Sequence, residues 1–567
     1  MLFNTVEFFI FFGIVYTIYR MLDMLAQNRM LLLASYIFYG WWDVRFLYLV
    51  VLSTGLDYCC GLLLGPGRIP LRDRLKISAC LVLAALCFVT LRWDRVNLSA
   101  SAPTYWSLSS LLGPFRIDRG ELSGLLSPDR MGWMVLAWTI VAVSLANLIY
   151  YPLSNLPETR RRHVGLIMTI AANLSFLGFF KYFNFFVDSA NQMLSGLGLP
   201  AGRFHLHIVL PAGISFYTFQ SLSYTIDVYK RRTEAVRSLE DYALFVMFFP
   251  VLVAGPIERA GHMMPKLTTP RSITLDQSTR GLFLILMGLF KKVAIADGLA
   301  STVNTVYNST GQPTWADVVA ATVLFAFQIY CDFSGYTDIA RGTGKLLGID
   351  LLLNFNLPYF SRGPGEFWRR WHISLSSWLR DYLYFPLGGN RAGNARTYRN
   401  LMITMVLGGL WHGAAWNFVL WGFYQGAVLC LYRAIQGDGK HAPDPESSGP
   451  GRAGWIRFVV SLGVFFAFTC YGWLLFRANS CGQIASFTRT LFLDFGNLAM
   501  TLRKPPLAAM LGLPVLLFFE CLEYASGERT HYRSWPAPLR GALYATMIVI
   551  LCMGLSNEPA QFIYFQF

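Results

Sequence analysis

The stretch NLMITMVLGGLWHGAAWNFVLWGFYQGAVLCLY (Asn400–Tyr432) contains no Asp, Glu, Lys or Arg, yet it places a histidine, His412, directly behind Trp411. At ~1.5 Å of rise per helical residue, His412 falls roughly 18 Å from Asn400, near the middle of a hydrocarbon layer ~30 Å thick. An ionisable ring at that depth is expensive. It is either a neutral histidine hydrogen-bonded between packed helices or a group kept for chemistry. A second Trp-His pair, Trp371-His372, lies upstream and tips the balance towards chemistry. A desolvated neutral ring is what a general base for a hydroxyl requires.

The rest of the chain sets this run in context. Of 567 residues, 54% are apolar and only 14% charged, against about 25% charged in a soluble domain. The composition predicts an all-α polytopic membrane protein. Spanning candidates are 3–19, 30–64 (a possible hairpin), 77–93, 133–151, 164–187, 208–228, 242–257, 281–297, 316–331, 401–432, 456–476, 507–523 and 541–557, or roughly 11 to 13 membrane segments including re-entrant ones. No basic stretch precedes the first apolar run and no small-residue cleavage site follows it, so it is expected to stay as a transmembrane helix.

The net charge of +15 does not indicate nucleic acid. It is concentrated in short loops, Arg68 to Lys76, Arg160 to Arg162 and Lys230 to Arg232, as the positive-inside rule expects of cytoplasmic loops. The loop 94–130 balances four Arg against four acidic residues and reads as external. Arg20 and Arg29 after the first segment suggest an outside N-terminus. The ten cysteines form no framework, since most lie inside apolar runs and Cys59-Cys60 is adjacent rather than C-x-x-C. No metal site is expected, because two histidines are too few ligands for zinc unless Asp supplements them.

A single membrane domain over 1–567 is the simplest architecture. The unusual polar chemistry gathers in a core at about 208–425, and 436–454 reads as a flexible loop. Within the core, residues 361–391 read SRGPGEFWRRWHISLSSWLRDYLYFPLGGNR. On a continuous helix Trp368, His372, Ser376 and Arg380 share a face, while Trp371, Leu375 and Trp378 anchor an adjacent face at the membrane interface. From Asn356 to Arg399 there are seven Arg against two acidic residues, enough to bind anionic lipid or to grip phosphate. Around His412, Gly409 and Gly413 make a small-xxx-small spacing that admits another element, including the one carrying His372. Asp332, Asp338 and Arg341 lie in a polar stretch inside an apolar run, where acids pair with Arg or cap broken helices. No phosphate-binding, dinucleotide, nucleophile-elbow or zinc-protease motif is present.

Several motifs taken in order resemble one family. They are Pro211-Ala-Gly-Ile-Ser-Phe-Tyr-Thr-Phe219, Ala254-Gly-Pro-Ile-Glu-Arg259, Asp332-Phe-Ser-Gly-Tyr-Thr-Asp338, Glu366-Phe-Trp-Arg-Arg-Trp-His-Ile-Ser-Leu-Ser376, Arg380-Asp-Tyr-Leu-Tyr384, Gly388-Gly-Asn-Arg391, Gly408-Gly-Leu-Trp-His-Gly-Ala414 and Phe562-Ile-Tyr-Phe-Gln-Phe567. The chain resembles the membrane-bound O-acyltransferases (MBOAT), in particular the AlgI-like branch that O-acetylates alginate and other polysaccharides. Its loop 94–130 is longer than expected for that branch, and its linker 436–454 sits elsewhere, which bears on partner and acceptor.

The resemblance implies a helical ring around a tunnel and a multi-pass protein of the bacterial inner membrane. It implies His412 as the catalytic residue and His372 as a second polar residue at the reaction centre. No bound cofactor is implied; acetyl-CoA or another acyl thioester is the donor, and its acetyl group crosses from the cytoplasm to an exopolysaccharide. The expected partners are periplasmic SGNH-type acetyltransferases of an AlgJ/AlgX kind. Arg369, Arg370 and Arg380 are candidates for donor phosphates or an acidic carrier, and Asp332, Trp371 and Trp411 for substrate contact. Alternatives are DltB-like D-alanyl transfer to teichoic acid, a transporter or flippase, and an assembly factor without catalysis.

Overall fold

A computed structural model of the chain describes residues 1–43, 45–90, 130–199, 205–206, 208–253, 255–309, 311–436, 452–495, 499–555 and 563. The loops 94–130 and 436–454 therefore lie almost wholly outside the described residues, as does most of 562–567. The described chain is helical, with no strand among the described residues. Eight of its helices are long and apolar enough to cross a membrane. Other expected segments form shorter helices, such as Val6–Met21 and Ile214–Tyr229 at 16 residues each. The run 30–64 is indeed two helices.

The chain divides into two compact units, residues 1–279 with 343–351, and residues 280–342 with 352–567. The boundary cuts through the stretch 208–425. In the first unit, α1 (Val6–Met21), α2 (Met24–Gly40), α3 (Arg45–Leu64) and α4 (Leu71–Thr90) are followed by α5 (Arg130–Ser154). Next come α6 (Glu158–Leu177), a π-helical turn (Gly178–Tyr182) and α7 (Phe183–Gly196), then α8 (Ile214–Tyr229), α9 (Leu239–Met247) and α10 (Ala260–Thr268). Helices α3, α6 and α8 pack on one another. Side-chain caps begin several of these helices: the Asp23 carboxylate accepts the Ala26 N–H, and the Ser238 hydroxyl accepts that of Asp241.

Most of α11 (Leu275–Leu289) and α13 (Trp315–Leu346) belongs to the second unit. Between them lie a π-helical turn (Phe290–Asp297) and α12 (Gly298–Tyr307). Two short helices follow, α14 (Pro364–Arg370) and α15 (Ile373–Leu379), then a π turn (Arg380–Tyr384), α16 (Asn394–His412), α17 (Trp416–Gln436) and α18 (Arg452–Arg477). The last three are α19 (Cys481–Leu493), α20 (Leu507–Ser526) and α21 (Ala537–Gly554).

The run 401–432 is not one span. It breaks after His412, where Gly413 is extended at φ −158°. His412 therefore closes a helix instead of sitting in the middle of one. Helices α16 and α17 then pack with almost no side chain between them. A Cβ on Gly409 would run into the Phe418 carbonyl oxygen and lie 3.0 Å from the Gly422 Cα, and one on Gly413 would strike the Phe418 ring. The element pressed against these two glycines is α17. The helix that follows His372 meets Gly408 instead, through Leu379 Cδ1.

This contact yields a comparison. Gly409→Ala should destabilise the protein by about 1–3 kcal/mol through overpacking against backbone that cannot yield. Gly13→Ala, with nothing within 4 Å of the added methyl, should not. Denaturant titration of the two purified variants in one detergent checks the difference.

Candidate active site

The Trp-His pair at 371–372 does not lie on a helix. Helix α14 ends at Arg370, Trp371 is extended, and His372 adopts a left-handed conformation with φ 42° and ψ 54° before α15 begins. For a non-glycine residue this costs of order 1–3 kcal/mol. The face predicted for Trp368, His372, Ser376 and Arg380 is therefore broken. Trp371, Leu375 and Trp378 are buried instead of lining an interface. Trp371 stacks on Phe367, its ring centre 5.6 Å away, and lies 5.0 Å from Phe355 and 4.7 Å from Trp473.

The segment 354–356 holds this turn in place. The Asn356 N–H donates to the Arg370 carbonyl and the Ile373 N–H to the Asn354 carbonyl, both at 2.9 Å. The side chain of Asn354, fully buried, adds more. Its Oδ1 accepts the Ser374 N–H at 3.2 Å and the Ser374 hydroxyl at 3.0 Å, and it lies 3.1 Å from His372 Nδ1. A backbone N–H can only donate, so the atom facing Ser374 is the amide oxygen. His372 Nδ1 must then carry the proton, which leaves Nε2 as the nitrogen with the lone pair. The Arg529 guanidinium braces the same segment, donating to the Phe355 carbonyl and, at 3.1 Å, to Asn356 Oδ1.

His412 sits beside this turn, 5% exposed against 1% for His372. The two imidazole centres are 6.4 Å apart. Aromatic rings enclose both: Trp411 at 5.1 Å, Trp421 at 5.1 Å and Phe476 at 5.5 Å from His412, and Phe333 at 4.7 Å from His372. Trp411 also lies 6.0 Å from His372, so one indole touches both histidines. Helices α13, α16, α17 and α18 contribute these walls. The result is two ionisable rings 6.4 Å apart in an aromatic enclosure that leaves both almost without exposure. Among the described residues, no group of three His, Cys, Asp or Glu gathers as metal ligands.

The remaining candidates are more dispersed. Asp332, 2% exposed, receives Lys292 Nζ at 2.6 Å on one oxygen and the Ile563 N–H at 2.8 Å on the other. Lys292 also binds Asp297 at 2.6 Å, while Lys291 binds Asp338 at 2.9 Å. Asp332 thus belongs to a buried ion network one residue from Phe333. Arg370 is bound to Glu366 at 3.0 Å and to the Asn356 carbonyl at 3.1 Å. Arg369 and Arg380 are exposed, the latter 2.8 Å from Asp381. Sequence reasoning missed Asn354, Phe333, Trp421 and Phe476. Asn354, a polar residue closing the apolar run Leu351–Leu353, carried a signal; the aromatic residues could not be told from ordinary core.

The profile of the membrane-bound O-acyltransferase family matches residues 235–437, which include both histidines and Asn354. The chain is 40% identical over 386 residues to the "Probable alginate O-acetylase AlgI" of Azotobacter vinelandii, covering 68% of this chain and 73% of that one. It is 37% identical over 434 residues to the protein of the same name from Pseudomonas putida, covering 72% and 86%. The "Peptidoglycan O-acetyltransferase" of Helicobacter pylori is 36% identical over 347 residues, covering 56% and 63%. With its helical membrane architecture and a likeness that spans most of these relatives, the chain belongs to the membrane-bound O-acyltransferase family and is an acyltransferase.

Proposed function

We propose that the protein transfers an acetyl group from a thioester, acetyl-CoA or an acyl carrier, to a hydroxyl destined for a polysaccharide, with His412 as general base. The pair of buried histidines 6.4 Å apart carries this reading. His412 takes the hydroxyl proton, the oxygen attacks the thioester carbonyl, the C–S bond breaks, and the thiolate leaves with the proton from the imidazolium. His372, its Nδ1 proton engaged by Asn354, orients the acceptor or meets the carbonyl with its other nitrogen. Trp371 and Trp411 shape and dry the site, and Asp332 supports it through the ion network.

The acceptor class follows from the relatives' names, which share O-acetylation of a glycan: alginate in two and peptidoglycan in one. We assign this chain to exopolysaccharide O-acetylation, of alginate or a similar polymer, in the bacterial inner membrane. The donor enters from the cytoplasmic side, where the basic loops are expected. The acetyl group leaves on the other side to SGNH-type acetyltransferase partners. The exposed Arg369 and Arg380 are suited to donor phosphates or an acidic carrier; Arg370, engaged by Glu366, serves the fold first.

Two variants test the mechanism. His412→Ala should lower acetyl transfer by about 10²–10⁴-fold, the range of general-base assistance, with the protein still inserted and folded. The O-acetyl ester content of the host's secreted polysaccharide, measured at matched levels of membrane protein, checks it. Unchanged ester would remove His412 from the mechanism. Asn354→Ala should cost about tenfold or more in turnover, since it frees the His372 tautomer and strips the Ser374 N–H of its partner. Thioester turnover by the purified variant is the readout, and a rate equal to wild type would refute the tautomer lock.

A further inference from the structure

In the first unit, the acyl transfer proposed above makes no use of the motif Gly255-Pro-Ile-Glu-Arg259. Its Glu258 is fully buried and starts a chain of contacts that runs along α10. Glu258 Oε2 lies 2.8 Å from His262 Nδ1, and His262 Nε2 lies 2.8 Å from Lys266 Nζ, each pair four residues apart. Lys266 Nζ also donates to the Asp350 carbonyl, and Asp350 pairs with Lys345. A lysine ammonium can only donate, so Nε2 accepts from it and Nδ1 carries the ring proton that Glu258 takes. Carboxylate, imidazole and amine thus stand in the order that activates a nucleophile through an oriented base. The chain also opens outward, from Glu258 at 0% exposed to His262 at 36% and the half-buried Lys266. Burial holds the Lys266 ammonium below the usual lysine range, against the raising pull of Glu258 and Asp350.

This end of α10 lies by the basic loop Arg68 to Lys76, read above as cytoplasmic. Asn28 donates to the Leu267 carbonyl at 2.8 Å, its neighbour Arg29 binds Glu240 at 2.8 Å, and Glu240 also feels Lys76 and Arg72. We propose that Lys266 is a site of self-acylation by small acyl thioesters of the acetyl-CoA class, with His262 as its base and Glu258 orienting His262. The Nζ ammonium passes one proton to Nε2, and the imidazolium is held between Glu258 and the freed amine. The amine attacks the thioester carbonyl, the C–S bond breaks, and the surplus proton on the attacking nitrogen leaves with the thiolate. The products are an amide on Nζ and a free thiol, and His262 gives its proton to water. Acylation removes the charge and leaves Nζ a single N–H, which can serve His262 or the Asp350 carbonyl but not both. Only the presence of such a thioester on this face is taken from the function proposed above.

The full-length protein in detergent, incubated with acetyl-CoA, tests this. Peptide mass spectrometry follows acetylation of Lys266 against that of Lys76, an exposed lysine of the neighbouring basic loop. Lys266 should be acetylated about 10²-fold faster, the lower end of base assistance. His262→Gln keeps a polar side chain beside Lys266 and removes the base, so Lys266 should fall to the rate of Lys76. The comparison of the two lysines in the wild type stands by itself if that variant does not fold. His412→Ala should acetylate Lys266 at the wild-type rate, whatever becomes of ester on the polysaccharide, which separates this site from the transfer reaction. Lys266 reacting no faster than Lys76 would overturn the proposal, as would a rate unchanged in His262→Gln. Loss of the label in His412→Ala would also overturn it, by assigning the modification to the acyltransferase site.

Discussion

A histidine at positive φ, walled in by aromatic rings, is held there by the Asn354 carboxamide reaching across from the neighbouring segment. One amide oxygen lies within bonding reach of the His372 ring nitrogen and also takes the Ser374 N–H and hydroxyl. The strain of the left-handed turn, of order 1–3 kcal/mol, is offset by bonds that would otherwise be lost from buried donors. Two backbone bonds and Arg529 fix the segment that presents Asn354. Remove the amide and only the two backbone bonds to segment 354–356 are left to hold the turn. The second histidine of the site depends on that chain of supports.

The other histidine is positioned by different means. His412 is the last residue of α16, and the end of a helix carries partial negative charge that favours a cation. A ring asked to take up a proton, the role proposed for His412, would gain from that location, and two indoles bury it from the sides. Tight packing of α16 on α17 through Gly409 and Gly413 holds this helix end against Trp421. Positioning and desolvation therefore come from glycines and tryptophans that have no chemistry of their own.

Much of this was legible in the residues. A charge-free run around His412 gave a helical membrane protein and its leading candidate, because burying an ionisable group in lipid is costly enough to leave a mark in composition. The repeated Trp-His pair pointed to His372. What the pattern could not convey was backbone conformation. Periodicity assumed that 361–391 continued as a helix, so it placed Trp371 and Trp378 at an interface, whereas the turn at His372 rotates them into the core. The same assumption put His412 in the middle of a span when Gly413 ends it. Asn354 was missed because its partner lies 18 residues on, a separation no local spacing rule covers.

The Asp332 carboxylate has a consequence for biosynthesis. It faces Lys292 on one side and the Ile563 N–H on the other, the latter 231 residues later in the chain. At about 5–20 residues per second of synthesis, the second partner emerges roughly 12 to 46 s after Asp332 itself. Throughout that interval the helix bearing Phe333, which abuts His372, has its ion pairs but lacks this one hydrogen bond to Asp332. That carboxylate thus gains its second partner only after Trp411, Trp421 and Phe476, the other walls around the histidines, have been made.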